Sequence, residues 1–250
     1  MLFNLFSKKT APAASSAIRD YADLKVDLHS HLIPGIDDGS QSLEESIALI
    51  LELKKLGYQK LITTPHIMSD YYRNTPEIIL SGLELVKNEL KNRGIDMKME
   101  AAAEYYFDEY FLSLLQQNKN IIAINNEYVL FELSYLNKPQ GVLDAIFAIQ
   151  QLGYKPLMAH PERYPYLSVE EYTEFKEKGC LFQMNLLSIG GFYGKSVKLL
   201  ANQLIDLGMV DMVGTDLHRM KHAEQLYYTL ESSFLEKLFT EKDLLNPTLL

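Results

Sequence analysis

From Asp23 onward, short apolar runs alternate with stretches whose apolar residues recur at helical spacing. Lys25 to Leu28 reads as the first strand. Ser42-Leu43-Glu44-Glu45 has the form of a capping box, with Ser42 as the cap and Glu45 reaching back. The helix it opens sets Leu43, Ile47, Ile50 and Leu53 on one face and stops at Gly57. A second strand, Lys60 to Thr64, runs into Pro65-His66, and Thr75-Pro76 starts a helix carrying Ile79, Leu83 and Leu90 to Gly94. Strands three to seven fall at 97–103, 128–131, 156–159, 181–184 and 210–213. Helices lie between them over about 109–117, over 142–152, from a second capping box at Ser168-Val169-Glu170-Glu171 to Gly179, and over 196–207. A further helix and a loose tail with Pro247 follow.

Seven strand–helix units without a long linker indicate one parallel α/β domain. The strands are near-continuous apolar runs, as when both faces are covered. No Gly-rich phosphate loop follows strand one, which favours a closed or distorted barrel over an open doubly wound sheet.

Composition narrows the function classes. The 250 residues are 47% hydrophobic and 23% charged, typical of a globular chain. The net charge of -9 argues against a nucleic-acid surface. One cysteine excludes an internal disulfide and fits a reducing, cytoplasmic setting. No apolar run approaches the roughly 20 residues of a membrane span. Residues 1–22, with an apolar tip and an Ala/Ser/Pro stretch, read as a flexible arm, leaving 23–250 as the domain.

The polar residues at the strand ends change the picture. Asp27-Leu28-His29-Ser30-His31 follows strand one, and residues i and i+2 of an extended segment point the same way. His29 and His31 therefore project together, and Asp37 and Asp38 follow a Pro-Gly turn close behind. His66, Glu104, Glu132, His160, Asn185, Asp216 and His218 stand at the ends of the later strands. Five of the six histidines thus lie where a parallel barrel gathers its chemistry. Mixed imidazole and carboxylate ligands without thiolate suit Mn, Fe, Zn or Co. The set exceeds the needs of one ion, which points to two or three ions clamping a phosphoryl group and activating a water.

Other residues have plainer readings. Cys180 lacks the arginine six residues on that a cysteine phosphatase needs, since Leu186 stands there, and it reads as a buried strand residue. His222 lies i+4 from His218 but is expected to be exposed. Asp27 either orients a ligand histidine or makes a strand-end hydrogen bond. Tyr71, Tyr72, Tyr105, Tyr106, Tyr135, Tyr164, Tyr166 and Tyr193 fall near the site and either rim a cleft or pack half-buried.

Asp-Leu-His-Ser-His at 27–31, Thr64-Pro65-His66, His160-Pro161-Glu162-Arg163 and Asp216-Leu217-His218 resemble the polymerase-and-histidinol-phosphatase (PHP) superfamily. Pro34-Gly35-Ile36-Asp37-Asp38-Gly39 and Gly190-Gly191-Phe192-Tyr193-Gly194 narrow this to its bacterial capsule-associated protein-tyrosine phosphatases, over about 24–222. The resemblance implies a distorted seven-stranded (β/α) barrel and a trinuclear, usually manganese-dependent, centre. It implies action on tyrosine kinases of exopolysaccharide assembly. By motif, His29, His31, Glu104 and Asp216 would hold one ion. Glu104 would bridge to a second, held also by Glu132 and His160. Asp38, His66 and His218 would hold a third. Arg163, which would grip the phosphate, joins Glu104 and Asp38 as the expected catalytic set. A further arginine seen in some relatives is not matched by Arg219 or Lys221, and Leu217 is bulkier than usual there. A histidinol-phosphatase-like phosphomonoesterase and a non-catalytic metal-binding regulator are the alternatives, and an oligomer is left open.

Overall fold

In the computed structural model, residues 18–117 and 121–250 are described. The elements follow the expected alternation: β1 (Val26–Asp27), α1 (Leu43–Lys55), β2 (Lys60–Thr63), β3 (His66–Ile67), α2 (Pro76–Asn92), β4 (Lys98–Ala101), β5 (Glu104–Tyr106) and α3 (Glu109–Gln116). The second half runs β6 (Tyr128–Glu132), α4 (Val142–Gln151), β7 (Lys155–Ala159), α5 (Val169–Glu177), β8 (Leu181–Asn185), α6 (Leu186–Gly190), α7 (Lys195–Asp206), β9 (Met212–Gly214), α8 (Met220–Thr229) and α9 (Ser233–Glu241).

The barrel expected from the sequence is not found as one closed sheet. Among the described residues the strands form two parallel sheets, ordered β1-β2-β4 and β3-β5-β6-β7-β8-β9. The division arises because the second and third expected strands, 60–64 and 97–103, are each followed after a break by a further short strand. Pro65 has no N–H to continue the ladder, and the chain resumes as β3. Its neighbour breaks at Ala102-Ala103 and resumes as β5. Two bonds still cross the break: Ala102 N–H donates to Thr63 O and Glu104 N–H to Pro65 O. On the other flank, beyond β1 and β9, Asp216 N–H donates to His29 O at 2.8 Å and His31 N–H to Leu217 O at 2.9 Å.

Alternation along the strands sorts side chains between two apolar clusters. Val129, Phe131 and Met158 join the larger one, with the helices. Tyr128, Leu130, Leu157 and Ala159 join Val26, Leu28 and Met212 in a smaller one. The helices contribute single faces, as in α4, where Val142, Ala145, Ile146 and Ile149 are buried at helical spacing. Ser168 and Glu171 form the complete capping box. At α1 only half of it forms: Ser42 accepts from Glu45 N–H, but the Glu45 carboxylate takes the N–H of Gln41.

Of the expected arm, residues 1–17 lie outside the described residues. Its last part is not loose: Tyr21 is fully buried, its N–H donates to Leu56 O, and its hydroxyl donates to Leu226 O at 2.8 Å. The packed chain therefore reaches back past Asp23.

Candidate metal centre

The segment after β1 delivers His29 and His31 into the interior, both fully buried. Each ring is held through Nδ1: His29 lies 2.7 Å from Gln183 Oε1 and His31 2.7 Å from Asp37 Oδ2. That contact turns each Nε2 inward. Glycines permit the close packing. A Cβ on Gly214 would stand 2.7 Å from His29 Cβ, and one on Gly39 would stand 2.3 Å from His31 O.

Around these two rings the structure gathers all nine residues of the expected ligand set. Glu104, at the start of β5, places Oε2 3.2 Å from His29 Nε2 and 3.1 Å from His66 Nδ1. Its Oε1 lies 2.9 Å from His160 Nε2. Glu132 Oε1, at the end of β6, lies 3.2 Å from His66 Nδ1. Asp216 Oδ1 lies 3.5 Å from Nε2 of both His29 and His31. Asp38, on the more exposed side, places Oδ1 3.3 Å from His66 Nε2 and 3.4 Å from His218 Nε2. Four groups have ligand atoms within 4.8 Å of one another: His31, Asp38, His66 and His218; His29, His160 and Asp216; His29, His31 and Glu104; and His66, Glu104 and Glu132. Glu104 stands in two groups, as the motif-based partition has it, but so do His29, His31 and His66, a sharing that partition does not contain.

The donor set fits divalent cations. His29 Nε2, His31 Nε2, His66 Nδ1 and Glu104 Oε2 are buried without a hydrogen-bond partner. Buried polar atoms without partners are costly, and here they converge on one another rather than pairing. The charges agree. Burial alone would raise the Glu104 carboxyl, but His29 and His66 hold it well below the usual carboxylate range. Asp216 is depressed in the same way against its burial, by His218 and His29. Burial would lower the His29 imidazole, yet Glu104 and Asp216 raise it. Two positions carry backbone strain: His160 has φ 32° and Asp216 φ 51°, left-handed values that cost about 1–3 kcal/mol in non-glycine residues.

Asp216 is the hub of a further set. Its Oδ2 accepts from Asn185 Nδ2 at 2.6 Å and from Arg163 Nη1 at 3.3 Å. Arg163 sits on the short turn Pro161–Arg163 after β7. The site opens into a cleft of about 580 Å³ whose lining includes Asp38, His66, Tyr71, Tyr135, Arg163 and Tyr193. Arg219 and Lys221 also face this cleft.

Sequence reasoning missed Gln183 and did not give Asp37 its orienting role. His222 is not exposed but buried, its ring 5.0 Å from that of Phe192. Burial and the neighbouring His218 push its imidazole down to about 4. Asp27 makes the strand-end bonds, accepting from Thr215 N–H and Oγ1–H. Of the tyrosines, Tyr71, Tyr106, Tyr135 and Tyr193 line the cleft, whereas Tyr105 and Tyr164 are fully buried. The bulk of Leu217 is accommodated in the core.

Parallel strands that bring five imidazoles and four carboxylates together at one end define an α/β protein with a cluster able to hold metal ions. Residues 25–239 match the family described as capsular polysaccharide synthesis, CpsB/CapC, and the chain belongs to that family. It is 25% identical over 221 residues to tyrosine-protein phosphatase YwqE of Bacillus subtilis, covering 85% of this chain and 86% of that protein. It is 29% identical over 203 residues to tyrosine-protein phosphatase CpsB of Streptococcus agalactiae, covering 78% and 83%. Among solved structures it is similar to one from work on B. subtilis YwqE and Streptococcus pneumoniae CpsB, described as unique metal-dependent tyrosine phosphatases. The TM-score is 0.75 at 24% identity, covering 84% of this chain and 89% of that one. The fold is also shared with histidinol phosphate phosphatase of Lactococcus lactis, solved with zinc, L-histidinol and phosphate, at a TM-score of 0.53 and 15% identity, covering 82% and 92%.

Proposed function

We propose that this chain is a metal-dependent protein-tyrosine phosphatase that hydrolyses phosphotyrosine on a bacterial tyrosine kinase of capsule or exopolysaccharide synthesis. The observation that carries the reading is the convergence of unpartnered buried ligand atoms beneath a cleft with an arginine at its wall. His29, His31, Asp38, His66, Glu104, Glu132, His160, Asp216 and His218 are the proposed ligands, in a distorted seven-stranded barrel for two or three ions, Mn²⁺ first among them. Such ions would lower the pKa of a water and neutralise phosphoryl charge.

The chain's own residues supply the rest. Arg163 presents its planar fork to two phosphate oxygens. Glu104 faces four histidines with its two oxygens and fixes the spacing of the centre. Asp38 stays ionised: burial opposes this, but hydrogen bonding to His218 and His66 holds its carboxyl well below the usual range. Tyrosine suits this arrangement, because a phenolate with a pKa near about 10 leaves with little help from an acid.

A protein substrate is supported over a metabolite by the mouth of the cleft. Tyr71 and Leu136 there are 74% and 86% exposed, which leaves the opening wide to solvent. Among the described residues no helix is long and apolar enough to cross a membrane, and the kinase substrate implies action in the cytoplasm. The test compares kcat/KM for a phosphotyrosine peptide, the matching phosphoserine peptide and histidinol phosphate under saturating Mn²⁺. Preference for the phosphotyrosine peptide is expected. Preference for histidinol phosphate would replace the reading with the metabolite phosphatase, and equal rates on phosphoserine would remove the tyrosine claim.

A further inference from the structure

Arg163 is held by less polar contact than a phosphate ligand ordinarily receives. Its guanidinium makes one hydrogen bond among the described residues, the 3.3 Å contact to Asp216 Oδ2. One bond near the long end of the range does not fix the plane of a side chain with four rotatable bonds. Two aromatic rings do. The guanidinium carbon lies 4.2 Å from the centroid of Tyr135 and 4.3 Å from that of Tyr193, over the ring in each case.

The rings come from separate parts of the chain. Tyr135 follows β6, and Tyr193 sits in the turn between α6 and α7. That turn is the Gly190-Gly191-Phe192-Tyr193-Gly194 stretch. Its close packing explains its glycines: a Cβ on Gly190 would stand 2.6 Å from Thr229 Oγ1, and Gly191 has φ 88°. The stretch faces the cleft through Phe192 and Tyr193.

We propose that Tyr135 and Tyr193 are positioning residues that clasp the Arg163 guanidinium and aim its N–H edge at the substrate phosphate. This rests on the reading of Arg163 as the phosphate ligand. Aromatic faces cover the faces of the guanidinium without competing for its N–H groups, which lie in its plane. An anion then meets a fork already oriented, where a freely rotating arginine would have to be ordered on binding. The hydroxyls serve elsewhere: Tyr135 donates to Glu132 Oε2 at 3.1 Å, and Tyr193 to Asp216 Oδ2 at 3.4 Å. Ring and hydroxyl can therefore be separated by substitution.

The experiment uses the metal-loaded full chain and reads the inhibition constant of inorganic phosphate, kcat/KM for a phosphotyrosine peptide, and metal content. Tyr193→Leu and Tyr135→Leu should each weaken inorganic phosphate and lower kcat/KM by about ten-fold. Tyr193→Phe and Tyr135→Phe, which keep the ring, should lose clearly less. In an Arg163→Ala background, Tyr193→Leu should add almost no further loss, which a general structural defect would not reproduce. The proposal is overturned if leucine costs no more than phenylalanine, or if its full loss persists without Arg163. Should Tyr193→Leu fail to fold, Tyr135→Leu in its exposed loop carries the same comparison and the same cycle with Arg163→Ala. If phosphate binds in an Arg163-dependent manner but phosphotyrosine peptides are not hydrolysed, the substrate reading fails and the clasp stands.

Discussion

Glu104 Oε1 stands 2.9 Å from His160 Nε2, while the other oxygen of the same carboxylate turns to His29 and His66. With His31 Nε2 3.5 Å from that second oxygen, the fully buried Glu104 approaches four histidines, where Asp216 approaches three. Glu104→Ala should therefore remove a shared ligand and leave the fold in place. Turnover should fall by more than the roughly 10–100-fold typical of losing an outer partner of a ligand. Steady-state kinetics beside elemental analysis check this. Near wild-type turnover with full metal content would move the shared position to another residue.

Asp37 sets the ring of His31 through a 2.7 Å contact at Nδ1. Asp37→Asn leaves the packing nearly unchanged but weakens the hold on ring orientation and ligand basicity. Metal affinity should drop by about 10–100-fold. Titration with a competing chelator measures it, and circular dichroism shows whether the fold is retained.

The metal-free cluster has its own pH dependence. His29, His31 and His66 are buried, which would lower their pKa values, but neighbouring carboxylates raise all three above 6.5. Glu104 and Asp216 are held well below 4.5 and 3.8. Stability from the raised imidazoles is fully present below their unfolded value and is lost as pH rises through the folded ones. Stability from the depressed carboxylates is present above their unfolded values and is lost as pH falls through the folded ones. The cluster thus supports the metal-free fold best between about pH 4.5 and 6.5. Metal must displace the imidazole protons, so its affinity should climb with pH. Thermal melts across this range, with and without chelator, should show the metal-free optimum on the acidic side of the loaded one.

Cys180 is fully buried, and burial pushes its thiol well above the ordinary value. At neutral pH it is a protonated thiol without access to solvent. Iodoacetamide should leave the native protein unlabelled and its turnover intact, with one equivalent incorporated only after unfolding. Mass spectrometry before and after denaturation decides it; inactivation of the native protein by alkylation would bring cysteine chemistry back.

The strand ends were legible because apolar runs stop abruptly at His29, Glu104, Glu132, His160 and Asp216, and parallel connectivity brings such stops together. The break was not, because the strands read from the sequence end at Thr64 and Ala103, and the pieces that resume beyond them, His66–Ile67 and Glu104–Tyr106, are too short to show a period of their own. Only the pairing of Pro65 with its neighbour exposes the missing donor. Gln183 escaped notice because its contact with His29 spans 154 residues and looks, in sequence, like any polar residue in a strand. His222 was misplaced for a similar reason: helical spacing puts it beside His218, but the turn bearing Phe192, which buries it, comes from elsewhere in the chain. Tyr135 and Tyr193 were visible as tyrosines near the site, but nothing local tied either to Arg163.

Asn246, fully buried, spans β1 and β9: its amide nitrogen donates to Val26 O and Val213 O, and its oxygen accepts from Val213 N–H. Three residues on from Val26 and Val213, just past the ends of those strands, stand His29 and Asp216. One side chain in the C-terminal segment thus works as a gauge block, holding the two strands at a fixed separation beneath the two proposed ligands. Shortening it, as in Asn246→Ala, would be felt at the far end of the strands as a changed preference among ions of different radius.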